Sequence, residues 1–126
     1  MSKKNSSLNF FFDWLAVIVW LVIIYFFSNQ PNLKSTLEPL WDFVFRKIAH
    51  IIEYFVLTFL FVRALKNYHL PLPTVTFSAG VLALISAAFD ESHQLFILGR
   101  VGSPLDLLID SIGIILLLLS ALFSRL

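Results

Sequence analysis

Apolar residues run through this chain in four long blocks, each about the length of a membrane crossing. A spanning helix needs ~20 mostly apolar residues. The first block runs from about Phe10 to Phe27, the second from about Phe43 to Leu65, the third from about Leu72 to Phe96 and the fourth from about Leu105 to Phe123. The first is the cleanest of the four. The second carries polar residues in its first half, the third near its end and the fourth near its start. The pattern predicts an all-α fold, a polytopic transmembrane four-helix bundle in a single domain.

The connections read as turns. Ser28–Asn29–Gln30–Pro31 ends the first helix with turn formers and a breaker. Ser35 and Glu38 have capping-box spacing ahead of the second helix, and Pro39 fits a first turn. Pro71 and Pro73 punctuate the next connection, and Gly99–Arg100–Val101–Gly102 makes the last. Ser103, Pro104 and Asp106 then suit an N-cap, a first-turn proline and a capping carboxylate. Lys3 and Lys4 precede the first helix as in a signal peptide, but no small-x-small site follows Phe26 and Phe27, so an uncleaved anchor is expected. With the N-terminus inside, Lys3, Lys4, Arg63, Lys66 and Arg125 lie inside and Lys34, Arg46, Lys47 and Arg100 outside. The small basic excess, led by Lys3 and Lys4, favours both termini on the inner side.

Composition agrees with lipid burial. The 126 residues are 59% hydrophobic and 13% charged, with a mean hydropathy of +0.88. A soluble domain is usually about 45–50% apolar and about 25% charged, and a soluble fold this small could not bury so much apolar surface. A net charge of +1 without a basic run gives no support to nucleic-acid binding. The absence of cysteine removes disulfides, thiolate nucleophiles and Cys-based metal sites.

Candidate chemistry lies where the apolar pattern breaks. The second helix carries Arg46, Lys47, His50, Glu53 and Tyr54. Lys47, His50 and Tyr54 share one face by their three- and four-residue spacing, and Arg46, His50 and Glu53 share an adjacent one. The third helix carries Ser86, Asp90, Glu91, His93 and Gln94, with Asp90 and Gln94 on the inward face; the fourth carries Asp106, Asp110 and Gly113 on one face. In antiparallel helices all three sets fall in the outer half of the bilayer, bordered by the Ser28–Pro31 turn and Arg100. The inner half is expected to hold almost nothing ionisable. Glu53 lies about 15 Å along the helix from Arg63, near mid-membrane. An Asp or Arg at a helix centre costs ~2.5–3.5 kcal/mol on insertion scales, so such groups are paired, protonated or in a wet cavity, and are functional candidates by default.

Blander roles compete with each. Asp106 could only cap a helix, and Arg46 and Lys47 could snorkel to headgroups. His50 and Glu53 could form a structural interhelical pair, and Asp90, Glu91, His93 and Gln94 an ordinary interfacial helix end. His69 reads as solvated beside Lys66. Trp14, Trp41, Tyr25 and Tyr68 read as interfacial anchors, and Gly80 and Gly113 as sites of close helix contact. No P-loop, dinucleotide fingerprint, HExxH or nucleophile elbow is present.

Taken together, Ser28–Asn29–Gln30–Pro31, Lys47-x-x-His50-x-x-Glu53–Tyr54, Asp90–Glu91-x-His93–Gln94 and then Arg100, Asp106, Asp110 and Gly113 resemble the VanZ-like family, over nearly the whole chain from Phe27 to Gly113. Two positions depart from its pattern: Asn29 stands where a second serine is frequent, and Asp110 where asparagine is frequent. The resemblance implies a small polytopic protein of the bacterial cytoplasmic membrane, from a family linked to teicoplanin resistance. It does not choose between enzyme and non-enzyme.

Two function classes stay open. As an enzyme, an outward pocket would set Lys47, Arg100 and Arg46 on a phosphate headgroup, with Glu53, Tyr54, Gln94, Ser28, Gln30 and Asp110 as further binding groups. His50 or Asp90 would be the general acid or base; alternatively Asp90, Glu91, Asp106 and His50 would hold a divalent metal that activates water. The expected partners are membrane lipids or lipid-linked cell-wall intermediates, and a homo-oligomer is compatible. As a non-catalytic protein, the same pocket would hold such a ligand or pair internally. An ion or proton path is a third option that four helices alone make narrow.

Overall fold

A computed structural model describes the backbone of residues 3–28, 39–94 and 104–124, and within them the side chains of 7–26, 44–45, 47–93 and 108–123. Four α-helices account for this: α1 (Lys3–Ser28), α2 (Pro39–Leu65), α3 (Leu72–Gln94) and α4 (Pro104–Ser124). No strand occurs among the described residues. The shortest helix has 21 residues, about 30 Å at ~1.5 Å per residue, which matches a hydrocarbon core. Ser7–Phe26, Lys47–Tyr68 and Leu72–His93 are each long and apolar enough to cross a membrane, and α4 adds a shorter apolar stretch, Leu108–Phe123.

Two helices start earlier than their apolar blocks. α1 begins at Lys3 rather than Phe10 and α2 at Pro39 rather than Phe43, because a helix can continue through polar turns that reach beyond the apolar layer. Pro39 and Pro104 each open a helix, where the missing N–H has no helical acceptor to lose. A 3-10 turn, Lys66–Tyr68, follows α2 and is closed by exposed His69 in the left-handed region (φ 57°), whose N–H donates to the Lys66 carbonyl at 3.2 Å.

Each helix is turned by one buried stripe. On α3 it is Val75, Ala79, Ala83, Ala87 and Asp90, in which three alanines one turn apart let neighbouring helices come close. On α4 it is Asp110, Gly113, Ile114, Leu117 and Ala121, and on α2 it is Tyr54, Leu57, Thr58, Phe61 and Ala64. These three helices pack against one another, while α1 rests mainly on α2 through Val17 and Ile24 and an edge-on contact of Trp14 with Phe61. The Trp20 indole N–H donates to the Glu53 carbonyl at 2.9 Å. The outer surface is apolar, with Ile18, Val22, Phe77, Phe89, Ile115 and Phe123 exposed, as a lipid-facing wall requires.

The end of the bundle where α2 finishes holds a polar cluster that the apolar pattern hid. Buried Asp13 on α1 meets Arg63 Nε at 2.7 Å and accepts from Asn67 Nδ2 at 2.9 Å; Asn67 also donates to the Ala64 carbonyl at 3.0 Å. This corrects the expectation of a nearly ion-free half. One acid in a strongly apolar block vanishes in a hydropathy average, and only the neighbouring helix reveals its partner.

Two stability predictions follow from this packing. A Cβ on Gly113 would collide with the Ile51 backbone oxygen and lie 3.1 Å from the Phe55 nitrogen, whereas one on Gly80 would meet only the movable Leu118 Cδ1 at 2.8 Å. Overpacking against backbone costs about 1–3 kcal/mol, while alanine in place of helical glycine gains up to about 1 kcal/mol. Gly113→Ala should therefore lower the thermal unfolding midpoint in detergent and Gly80→Ala leave it nearly unchanged; equal midpoints would refute this contact. Asp13→Ala should destabilise by about 1 kcal/mol rather than the 3–5 of a fully buried pair, because the Arg63 side chain is 56% exposed and can be solvated. Unfolding titrations of that variant measure the difference.

Candidate functional site

The stripes that orient the helices also carry the chemistry. From the N-terminal half of α2 to its middle, Lys47, His50 and Tyr54 continue its inward face; near the C-terminal end of α3, Asp90 extends the alanine stripe; near the start of α4, Asp110 lies one turn before Gly113. Antiparallel packing puts these ends side by side. His50 Nδ1 lies 3.4 Å from Asp110 Oδ1 and 3.7 Å from Glu53 Oε2. The Tyr54 hydroxyl, fully buried, donates to Asp90 Oδ2 at 3.1 Å. Lys47 is near enough to Asp110 for its charge to act on it. One nitrogen of His50 and one oxygen each from Asp90 and Asp110 lie within 4.8 Å of one another.

Asp110 is 1% exposed, and among the described residues its Oδ1 and His50 Nδ1 make no hydrogen bond despite their proximity. Thr58, by contrast, is satisfied within its own helix, donating to the Tyr54 carbonyl at 2.7 Å. The cluster is thus a concentrated, largely buried set of acids and one imidazole with Lys47 beside it, able to take up a proton, a cation or a ligand bearing cations of its own.

A cleft of about 570 Å³ opens between α1 and α3 and runs to this cluster. Leu21, Val22 and Phe89 give it apolar walls, and Tyr54 and Asp90 belong to both cleft and cluster. At its rim the His93 ring stacks on Tyr25, centroids 4.8 Å apart and planes at 28°. Tyr25, expected as an anchor, is also a wall of this cleft.

Of the residues singled out in the sequence, His50, Asp90, Asp110, Tyr54, Lys47 and Glu53 come together. Glu91 is half-buried beside Asp90 but is not a member of the three-atom cluster. Asp106 lies one turn before Asp110 on α4; its side chain, with those of Arg46, Gln94 and Ser28, is outside the described residues, as are Gln30 and Arg100 altogether. Sequence reasoning missed Trp20 and Asp13. Their signal was the stripe Asp13, Val17, Trp20 and Ile24, spaced four, three and four, on which the two groups with polar atoms face α2.

A family model described as VanZ/LLP1 matches residues 11–125. The chain belongs to the VanZ/LLP1 family. The match takes in α2, α3 and α4 whole and α1 from Phe11 onward, so every member of the cluster lies within the family region. With three helices suited to crossing a membrane, this VanZ/LLP1 chain is a membrane protein. No curated protein and no solved structure matches it.

Tyr54→Phe removes one hydroxyl without opening a cavity and takes a donor from buried Asp90. It should destabilise by about 1–3 kcal/mol, read as a lowered unfolding midpoint in detergent. A midpoint equal to wild type would show that the Tyr54–Asp90 bond does not hold α2 to α3.

Proposed function

We propose that this VanZ/LLP1 protein binds a lipid or polyprenyl phosphate headgroup at the outward end of the bundle and hydrolyses or transfers it. The observation that carries this reading is the convergence of His50, Asp90 and Asp110, from three helices, beside an apolar-walled cleft that Asp90 and Tyr54 also line. An apolar chain suits Leu21, Val22 and Phe89, and its headgroup would then lie near the acids and Lys47. The outward orientation rests on the distribution of Lys and Arg.

In hydrolysis, the oxygen of a water adds to phosphorus while the bridging P–O bond breaks. His50 or Asp90 accepts the water's proton, and the departing oxygen takes up a proton in turn. Lys47 balances charge on the phosphoryl oxygens. In transfer, an acceptor hydroxyl replaces water. A binding-only reading has its own support: Tyr54–Asp90 and His50–Asp110 each join two helices, as a purely structural network would.

Purified protein in vesicles, supplied in separate arms with phosphatidic acid or a polyprenyl phosphate, tests the choice through phosphate release and headgroup retention. The enzyme reading expects turnover that falls on the order of 10²-fold or more in Asp90→Asn, with helix content and unfolding midpoint retained. Retention without turnover, preserved in Asp90→Glu, would favour the binding protein. Neither turnover nor retention in either arm would sink the lipid-phosphate reading.

A further inference from the structure

We propose that His50, Asp90 and Asp110 form a binding site for one first-row divalent cation of the Mn²⁺ type, with Tyr54 as the outer partner that orients Asp90. The proposal deepens the lipid-phosphate reading and rests on it for the anion that would complete the coordination; the metal site itself can be tested without any lipid phosphate.

The spacing is that of ligands around one ion. Bonds of about 2.0–2.4 Å at roughly right angles put neighbouring ligand atoms about 2.8–3.4 Å apart. His50 Nδ1 and Asp110 Oδ1 are 3.4 Å apart, and one ligand atom from each of His50, Asp90 and Asp110 lies within 4.8 Å of the other two. For a charge-assisted hydrogen bond, normally about 2.7–2.9 Å, the His50–Asp110 separation is too long. That leaves a carboxylate 1% exposed to solvent, with one oxygen aimed at an imidazole nitrogen and neither atom hydrogen-bonded among the described residues. Buried charges are paired or coordinate metals, and a bound cation would satisfy both atoms at once.

Supporting geometry comes from the hydrogen bond that Asp90 Oδ2 accepts. Metal-ligating carboxylates are themselves held by hydrogen bonds, and Tyr54 supplies one at 3.1 Å from the adjacent helix. One imidazole and two carboxylates, without cysteine, suit an ion of intermediate hardness. Among the described residues three protein ligands meet, and a site so built has positions open for water and a phosphoryl oxygen, the arrangement of catalytic rather than structural sites. Asp110 thereby changes role, from one of the expected headgroup-binding residues to the most buried ligand. Of the metal set expected from the sequence, His50 and Asp90 remain, Glu91 lies outside the three-atom group, and the side chain of Asp106 is outside the described residues.

The full chain, purified in nanodiscs and stripped with a chelator, is titrated with Mn²⁺ while free Mn²⁺ is followed by electron paramagnetic resonance. One saturable site per chain is expected. Asp110→Asn and His50→Gln should weaken it on the order of 100-fold, and Tyr54→Phe, as an outer partner, by about 10–100-fold. Asp13→Ala, at the other end of the bundle, should bind as wild type does. Spin-echo measurements on the wild-type complex should show coupling to a directly bound imidazole nitrogen, a readout that stands even if the ligand variants fail to fold. No saturable binding by the wild-type chain, equal affinity in folded Asp110→Asn and His50→Gln, or a bound ion without nitrogen coupling would each overturn the site. A nitrogen-coupled ion in a protein that neither retains nor turns over lipid phosphate would keep the metal site and end the lipid-phosphate reading; lipid turnover without metal binding would do the reverse.

Discussion

Backbone contact between α2 and α4 at Gly113 sets the geometry on which the rest of the candidate site depends. With no side chain at that position, the Ile51 carbonyl and the Phe55 amide nitrogen of α2 approach α4 more closely than a Cβ would permit. His50 is the neighbour of Ile51, and Asp110 lies one turn before Gly113, so the same contact holds an imidazole and a buried carboxylate 3.4 Å apart. The alanine stripe of α3 performs a related service within the three packed helices. Its small side chains bring Asp90 within reach of the Tyr54 hydroxyl. In lipid, where water cannot satisfy a misplaced acid, close packing by small residues and convergence of polar groups are one design problem.

The two ends of the bundle solve this problem differently. At one end Asp13 is matched by Arg63 and Asn67, with both carboxylate oxygens engaged and Arg63 open to solvent. Such a cluster is internally complete and reads as a clasp between α1 and α2. At the other end the acids outnumber the described cations, and the His50–Asp110 approach lacks a hydrogen bond. That end also has a cleft leading to it from the lipid-facing side. Incomplete satisfaction beside an opening is what distinguishes a place for a ligand from a structural joint. It is also why the proposed chemistry belongs to the α2–α3–α4 end rather than to the ion pair that looks stronger on distance alone.

Sequence reading reached far into this molecule because lipid imposes simple rules. Four apolar blocks of spanning length could only become helices, and Pro39 and Pro104 marked two starts that the structure keeps. The facial spacing of Lys47, His50 and Tyr54, and of Asp110 and Gly113, also carried over, since the period of a helix is fixed by its backbone. Block averages were blind to Asp13, and an anchor role was all that sequence could assign to Tyr25, whose ring stacks on His93.

By itself, then, the sequence determined the helices, their antiparallel order and the end of the bundle at which the polar groups collect, because periodicity and hydropathy act locally along the chain. Only the tertiary structure decided which of those groups meet. Membership of the three-atom cluster fell to Asp110 rather than Glu91, because helix rotation about a buried stripe and the approach distance at Gly113 are properties of pairs of helices. A one-residue step around α3 separates the inward Asp90 from Glu91, and no spacing rule within a single helix fixes what stands opposite.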